Sequence, residues 1–548
     1  MKPYYGLTGF KLNVAIAVIA GTDFALFGYD QGVMGGLLTL PSFLATFPQI
    51  DTQNPPPGSS ASQASNIQGI TVGGYTLGCF FGALATIWLG NILGRKRTIF
   101  IGSSIMIVGA AIQCSSFSLG QLIAARLITG FGNGMNTSTV PTWQSETSKA
   151  HRRGQMVMIE GSLIVFGVML SYWIDLGFSF LEPSTISWRF PIAFQIILAI
   201  FIVVLLPGLP ESPRWLILKG RDEEAVRVLC ALSELPPEDP AIQADYKAMK
   251  DVVFEMKKGT FADCFKRNKD RNLHRTILAY VNQMFQQISG INIITYYAAT
   301  IFENNIGLSG FTSRLLAALN GTEYFIASWV AIFTIEKFGR RPLMLFGAAG
   351  QAMSMAVLAG TTSHVSTSTG IAAAVFLFVF NSFFAIGWLG MTWLYPAEIT
   401  PLQIRAPANA IATTANWIFN FMVVMVTPVA FANIQWKTYV VFACINAAIV
   451  PCVYFFYPET AGRSLEEMDE IFHDVSGAKG AFDVVHVAKH KPRRYGKKGE
   501  LLIAYDDTPE AQNAQRRRSS VAGGPDAEKS QAEHVNNSNN DSNGGATV

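Results

Sequence analysis

Long apolar runs alternate with short polar segments along this chain. Twelve of the runs reach about 20 residues, the length that a helix needs to cross the hydrocarbon core of a bilayer. They begin near Leu12, Ile67, Thr98, Leu119, Gln155, Phe190, Arg275, Phe311, Leu343, Gly370, Ala408 and Trp436. Six runs precede a polar insert and six follow it. The pattern predicts an all-α membrane protein with twelve transmembrane helices in two six-helix halves.

The same pattern predicts four regions. Residues 1–209 form the N-terminal half, 210–274 a cytoplasmic linker of amphipathic helices, 275–460 the C-terminal half, and 461–548 a cytoplasmic tail. The linker is predicted from charged residues at helical spacing. The tail is polar, ends in an Asn- and Ser-rich stretch, and is expected to be mostly disordered.

Composition narrows the functional class. Half of the residues are hydrophobic, 14% are charged and the net charge is +3, too small to indicate a nucleic-acid partner. Lys and Arg concentrate in short loops on one side of the predicted bilayer, which should be the cytoplasm. We therefore expect a multi-pass protein of the cell membrane with both termini cytoplasmic. Nothing resembles a nucleophile with its base, a metal cluster or a phosphate loop, so no enzyme, cofactor or metal is predicted.

Three charged motifs recur between the halves. Gly94-Arg95-Lys96 returns as Gly339-Arg340-Arg341, the Glu146 and Arg153 pair returns as Glu398 and Arg405, and Pro210-Glu211-Ser212-Pro213-Arg214 is echoed from Pro458 to Arg463. A direct repeat of six spans implies halves related by an axis along the membrane normal, with the substrate site between them.

These loop charges predict a cytoplasmic gate. Its candidate residues are Arg95, Glu146, Arg153, Glu211, Arg214, Glu336, Arg340, Glu398, Arg405 and Glu459. Ion pairs across the two halves would hold the cytoplasmic side closed and break when it opens. The alternative is that the basic residues only set topology.

Two of the charges inside predicted spans are the candidates for proton coupling. Asp30 lies in the first span, about 15 Å from its outer end, and Arg126 lies in the fourth, about 10 Å from its outer end, at the helical rise of 1.5 Å per residue. Since each charge alone is costly in lipid, we expect them to pair. Burial and a neighbouring arginine have opposite effects on how readily a carboxyl group binds a proton, so the pair could act as a proton switch. The alternatives are an Asp30 buried for packing and an Arg126 that extends outward to water.

Uncharged polar side chains in the second half predict the substrate site. Amides both donate and accept hydrogen bonds, as a polyhydroxy ligand requires, and Trp can stack on a sugar ring. The candidates are Gln286, Gln287, Asn292, Tyr296, Tyr297, Trp388, Trp393 and Asn416. The alternatives are hydrogen bonding between helices and interfacial Trp packing.

The motifs together resemble the sugar porters of the major facilitator superfamily, particularly the fungal members, over roughly residues 10–475. The resemblance is carried by Phe27-Gly28-Tyr29-Asp30, Gly94-Arg95-Lys96, Arg126 with Gly130 and Gly132, Pro210 to Arg214, Gln286 to Asn292, Gly339-Arg340-Arg341, Pro396-Ala397-Glu398 and Pro458-Glu459-Thr460. It implies twelve helices, alternating access and a sugar or polyol site dominated by the second half. In proton-coupled members, an Asp matching Asp30 faces an Arg matching Arg126.

Three features of the sequence depart from that family. Asn91 replaces an acid that usually precedes the Gly94 motif, Gly161 and Val168 stand where Gln often contacts sugar, and Tyr324 stands at a common Asn position. The sugar contacts are therefore only partly conventional.

The predicted function is proton-coupled uptake of a monosaccharide, hexose or pentose. The alternatives are a proton-coupled polyol or glycerol symporter, a facilitative sugar uniporter and, less favoured, a sugar sensor that signals through its tail. The expected partners are the substrate, protons and the lipid bilayer. The tail, with the basic run Arg516-Arg517-Arg518-Ser519-Ser520, is expected to bind regulatory kinases or ubiquitin ligases.

Overall fold

The computed structural model describes residues 3–147, 153–258, 260–364, 366–463, 465–475 and 480–491. The first half contains α1 (Gly9–Leu37), α2 (Pro41–Thr46), α3 (Ala61–Leu93), α4 (Arg95–Cys114), α5 (Leu119–Thr147), α6 (Arg153–Ser179) and α7 (Ile186–Leu205). Three helices follow in the polar insert: α8 (Pro213–Leu218), α9 (Asp222–Ser233) and α10 (Pro240–Lys258).

The second half contains α11 (Asn272–Ile288), α12 (Ile291–Thr300), α13 (Gly310–Phe338), α14 (Arg340–Ser363), α15 (Thr367–Gly387), α16 (Met391–Ile399), α17 (Arg405–Ile434) and α18 (Lys437–Phe456). Two short helices follow, α19 (Leu465–Asp474) and α20 (Gly480–His490). The expected disorder of the tail concerns mainly residues 492–548, which lie outside the described residues.

The predicted all-α membrane fold is confirmed. Ten helices are long and apolar enough to cross a membrane, and the described residues contain no β-strand. The fourth and seventh predicted spans are not among these ten helices. The fourth is α5, which carries Arg126, Asn133 and Asn136 among its buried residues. The seventh is divided between α11 and α12.

Two predicted spans are not continuous helices, which the hydrophobic pattern did not indicate. In the seventh, Gly290 adopts φ +100°, a left-handed conformation that glycine tolerates and that separates α11 from α12. In the tenth, residues 388–390 interrupt the helix between α15 and α16. Discontinuous helices leave backbone carbonyls without helical partners, and membrane transporters use such breaks at binding sites.

Residues 1–461 and 468–489 form one compact unit. Within it, the halves meet where α1 packs on α12, α3 on α17, and α6 on α13. The remaining residues form a second unit, in which Arg463 lies 3.7 Å from Glu467.

Small residues allow the helices of the first half to approach closely. A Cβ atom on Gly130 of α5 would lie 2.0 Å from the Tyr75 carbonyl oxygen of α3. The two backbones are therefore nearly in contact, as at other small-residue interfaces between membrane helices. This contact sets the position of Arg126, one helical turn away on α5, against α3.

Candidate functional site

A small cavity lies between the two halves. Its volume is about 50 Å³, below the roughly 300–1,000 Å³ of typical ligand pockets. It is lined by Phe27, Gln31, Ile164, Val165, Val168, Gln286, Gln287, Ile291, Asn292, Thr295, Tyr324, Phe384, Leu389, Trp393 and Asn416. Helices from both halves thus contribute to the cavity, and its amides come mostly from the second half.

Side-chain amides on one wall form a connected network. Asn416 Nδ2 donates to Gln283 Oε1 at 2.7 Å and to Gln286 Oε1 at 3.1 Å. Gln287 Nε2 donates to Gln286 Oε1 at 3.0 Å, and Asn292 Nδ2 donates to Gln287 Oε1 at 2.5 Å. Each amide therefore has its orientation set by a neighbour, which organises the wall for a polyhydroxy ligand.

The break in the tenth span anchors this network. Gln286 Nε2 donates to the carbonyl oxygens of Trp388 at 3.2 Å and Leu389 at 3.3 Å. Gln283 Nε2 donates to the Thr392 carbonyl at 2.9 Å. The helix break leaves these carbonyl groups without partners in their own helix. The α11 amides supply the hydrogen bonds that buried carbonyl groups need.

The wall contributed by α6 is apolar. Ile164, Val165 and Val168 line the cavity there, and Tyr324 and Phe384 add aromatic surface from the second half. Gly161, the other departure noted in α6, lies against Leu389 and leaves no side chain in the cavity. The cavity therefore has a polar amide wall and an apolar wall.

Five of the eight predicted substrate residues line the cavity: Gln286, Gln287, Asn292, Trp393 and Asn416. The other three do not line the cavity in this conformation, and their part in substrate binding stays a prediction. Tyr297 donates to the Val424 carbonyl at 2.9 Å, Tyr296 is fully buried, and Trp388 packs edge-to-face on Phe285.

Two polar residues of the site were missed. Gln31 lines the cavity directly after Asp30, and Gln283 hydrogen-bonds Asn416 from one turn before Gln286. The Gln283 and Gln286 spacing of three places both amides on one helix face, a signal that the sequence did contain.

Asp30 is completely buried in α1, and neither carboxylate oxygen has a hydrogen-bond partner among the described residues. It interacts electrostatically with Arg126. No nitrogen of Arg126 forms an ion pair with it, so the predicted direct contact is absent in this conformation. The two charges are neighbours separated by a gap.

Arg126 is also completely buried, and α3 holds it. Its Nη2 donates to the Val72 carbonyl at 3.2 Å, and its guanidinium lies 5.3 Å from the centre of the Tyr75 ring. Nε and Nη1 have no partner among the described residues. The close packing of α3 on α5 explains why Arg126 turns towards α3 instead of Asp30. The expectation that it extends outward to water does not hold.

The cytoplasmic charges of the first half form one network. Arg95 pairs with Glu146 at 3.0 Å, and Ser212 Oγ donates to Glu146 at 2.6 Å. Glu211 accepts the backbone N–H groups of Arg95 at 3.2 Å and Lys96 at 3.1 Å. The acid that follows the sixth span thus caps the start of α4.

The second half repeats this network with one more carboxylate. Arg340 pairs with Glu398 at 2.8 Å and with Glu336 at 3.1 Å. Thr460 Oγ1 donates to Glu398 at 2.6 Å, and Glu459 accepts the backbone N–H of Arg340 at 2.9 Å. Asn91 stands in the first half where Glu336 stands here, so Arg95 has a single carboxylate partner.

The ion pairs of Arg95 and Arg340 do not cross between the halves, and pairing across the halves stays a prediction for Arg153 and Arg405. Each network lies within its own half, because the segment after the sixth span of each half returns to the start of α4 or α14. Arg405 donates to the Thr400 carbonyl at 2.9 Å, and Arg214 Nε has no hydrogen-bond partner. The side chain of Arg153 lies outside the described residues.

Comparisons with known proteins agree with this architecture. The profile of the family described as "Sugar (and other) transporter" matches residues 14–472. The sugar transporter STL1 of Saccharomyces cerevisiae is 40% identical over 520 residues, covering 93% of this chain and 90% of that protein. The MFS-type transporter oryC of Aspergillus oryzae is 40% identical over 511 residues, covering 92% and 93%.

A solved structure gives the same result for the fold. The proton:xylose symporter XylE bound to 6-bromo-6-deoxy-D-glucose superposes with a TM-score of 0.72 at 25% identity, covering 84% of this chain and 99% of that chain.

The high glucose sensor RGT2 of Saccharomyces cerevisiae is 30% identical and covers 84% of this chain and 61% of the sensor. With the family profile, the curated relatives and the fold in agreement, the chain belongs to the sugar transporter family of the major facilitator superfamily.

Proposed function

We propose that this chain carries a monosaccharide, hexose or pentose, into the cell together with a proton. Its membrane is the plasma membrane, with both termini in the cytoplasm, and the tail beyond residue 491 binds kinases or ubiquitin ligases. One observation carries the coupling: the buried, unpaired Asp30 lies beside Arg126 and directly precedes Gln31, which lines the cavity. The name of the XylE relative, a proton:xylose symporter, agrees with this proposal.

The proposed mechanism uses the gap between Asp30 and Arg126. A neutral Asp30 leaves Arg126 bound to α3 through the Val72 carbonyl. Loss of the proton creates a buried carboxylate, which attracts the arginine because an isolated charge is costly there. The two arrangements pack α1 differently against α5, and proton binding shifts the balance between them.

Substrate binding involves the same helix. Gln31 of α1 lies in the wall opposite the amide network of α11 and α17. Closure of the halves on a substrate would bring Gln31 to its hydroxyl groups, moving α1 and with it Asp30. Binding of substrate and proton would thus favour the same conformation, which is the requirement for coupling.

Replacement of Asp30 tests the proton site. Asn resembles a permanently protonated Asp, so Asp30→Asn should keep exchange of labelled for unlabelled substrate while losing acid-stimulated net uptake. The measurements are both fluxes in vesicles between pH 5 and 8. Asp245→Asn, on the exposed surface of α10, is the control and should behave like the native chain.

An Asp30→Asn carrier whose net uptake still rises with external acid would contradict the coupling role. If uptake by the native chain does not change with external pH, the protein is a uniporter instead.

A small polyol is a second candidate substrate, favoured by the cavity itself. The cavity of about 50 Å³ is bounded by Val168 and Tyr324, two positions where relatives of the resembled family often present amides, and by the apolar Ile164 and Val165. Fewer polar partners and less space suit a molecule with fewer hydroxyl groups. A glycerol-like polyol would need only the amide wall of the second half.

Truncation of Asn416 tests the substrate site and separates these candidates. Asn416→Ala removes two hydrogen bonds and should raise the half-saturation concentration by about tenfold for any substrate that binds the amide wall. The measurement is uptake of hexoses, pentoses and glycerol by a yeast lacking its own carriers. The control is Asn433→Ala, an exposed Asn on the same helix whose amide bonds only to the Val429 carbonyl.

If Asn416→Ala transports each of these compounds like the native chain, the cavity is not the substrate site. Preference for glycerol over all sugars would select the polyol candidate.

The two cytoplasmic networks are proposed to hold the inner ends of the helices together until substrate and proton have bound. They need not bridge the halves to do so, because each ties the segment after a sixth span to the loop between the second and third spans. A change in one network alters how that half moves as a body.

The second-half network offers a matched pair of variants. Glu398 is mostly buried and bonded by Thr460, whereas Glu336 is half exposed. Glu398→Gln should therefore lower the uptake rate by about tenfold, because a buried pair costs more to break. Glu336→Gln should stay near the native rate, since exposed pairs contribute little. A larger loss of uptake rate in Glu336→Gln than in Glu398→Gln would contradict the proposal.

A further inference from the structure

A second carboxylate lies buried in α1. Asp23 is completely inaccessible to solvent and lies seven residues before Asp30. Two helical turns separate them, about 10 Å along the axis, and the spacing of seven keeps both on nearly the same helix face. The mechanism above does not use this group, and buried acids in membrane spans are costly unless they function.

The surroundings of Asp23 are polar but uncharged. Its Oδ1 accepts a hydrogen bond from Asn136 Nδ2 at 2.6 Å, and its Oδ2 has no partner among the described residues. The same Nδ2 lies 2.9 Å from Ser103 Oγ. No Lys, Arg or His of the described chain forms an ion pair with Asp23, so nothing here balances a permanent negative charge.

Asp23 and Asp30 face the same helix, α5. Arg126 of α5 lies beside Asp30, and Asn136, ten residues further on, bonds Asp23. Asn133 lies between them on α5; its Nδ2 lies 3.4 Å from Cys79 Sγ of α3, and its Oδ1 has no partner in the described chain. Buried polar side chains of α5 therefore continue from the level of Asp30 to that of Asp23.

The helices packed against α1 carry other titratable and charged groups, and none of those that the structure describes forms an ion pair or hydrogen bond with Asp23. On α5 they are Arg126 near Asp30 and Glu146 in the cytoplasmic network. The neighbouring helices contribute the following titratable or charged groups: Glu160, Tyr172 and Asp175 on α6, Arg189 on α7, Tyr296 and Tyr297 on α12, and Arg221, Asp222, Glu223, Glu224, Arg227 and Cys230 on or beside α9. Helix α4, which supplies Ser103, begins with Arg95, Lys96 and Arg97 and ends at Cys114.

We propose that Asp23 is a second proton-binding residue, which receives the proton leaving Asp30 and delivers it towards the cytoplasm along the interface of α1 and α5. This inference rests on the proposed proton coupling. In the step, the O–H bond of Asp30 breaks, its carboxylate attracts Arg126, and a proton forms an O–H bond at Asp23 Oδ2. Since about 10 Å is too far for direct transfer, water molecules between the helices carry the proton. Asn136 keeps its bond to Oδ1 throughout.

Asp23→Asn tests the step, because Asn keeps the size of the side chain and cannot take up the proton. Net uptake driven by a proton gradient should fall by about tenfold, and its dependence on internal pH should disappear. Exchange of labelled for unlabelled substrate, which needs no net proton release, should stay within about twofold of the native rate. Asp23→Glu, which restores a carboxyl group, should recover part of the net uptake.

A second variant leaves Asp23 in place. Asn136→Leu removes the hydrogen bond that favours the ionised carboxylate, so release of the proton should require a higher internal pH, by about one pH unit. Ser103 contacts the same amide but not Asp23, so Ser103→Ala should leave the internal-pH profile unchanged.

Three results would overturn the inference. They are native net uptake in Asp23→Asn, equal loss of net uptake and exchange in a stable Asp23→Asn protein, and an unshifted profile in Asn136→Leu. If Asp23→Asn does not fold, the Asn136→Leu profile decides. Failure of the proposed function is distinguishable, because the native chain would then move no protons.

Discussion

The structure depends on the cost of holding Asp30 and Arg126 in a membrane interior without direct contact. Both side chains are completely buried, and the arginine is bonded to a carbonyl of α3 instead of the carboxylate. In the proposed coupling, an ionised Asp30 would draw Arg126 away from the Val72 carbonyl, because isolated charges are expensive in this environment. Protonation would then decide which arrangement is stable. The close approach of α3 to α5 at Gly130 makes the arginine's second position available.

The rest of the molecule connects this pair to substrate and solvent. Gln31 links Asp30 to the cavity, and the broken seventh and tenth spans supply the amides and carbonyls of its opposite wall. Matching networks around Arg95 and Arg340 each lie within one half. The halves meet at the contacts of α1 with α12, α3 with α17 and α6 with α13. Residues of α1, α6, α12, α13 and α17 among these helices line the cavity.

Apolar run length and the repeat predicted the fold class because both reflect the simplest constraint, burial of backbone in lipid. The side-chain identities in α11 also indicated the amide wall. The sequence could not indicate the breaks at residues 290 and 388, since apolar runs continue across them. It also could not indicate the bond from Tyr297 to the Val424 carbonyl, because that contact joins two helices distant in sequence. The direction in which Arg126 points depends on packing of α3, which no local pattern contains. The ion pairs within each half likewise depend on how distant segments pack, which no local sequence pattern contains.

The most direct test of proton coupling is whether a proton gradient alone drives substrate accumulation by the purified native chain in proteoliposomes. With acid outside, no other gradient and membrane potential clamped, the account predicts internal substrate rising to about tenfold above external at a pH difference of one unit, since one proton per substrate transfers that free energy. A protonophore should collapse the accumulation. Uptake that stops at equal concentrations inside and outside, with or without the protonophore, would contradict the account.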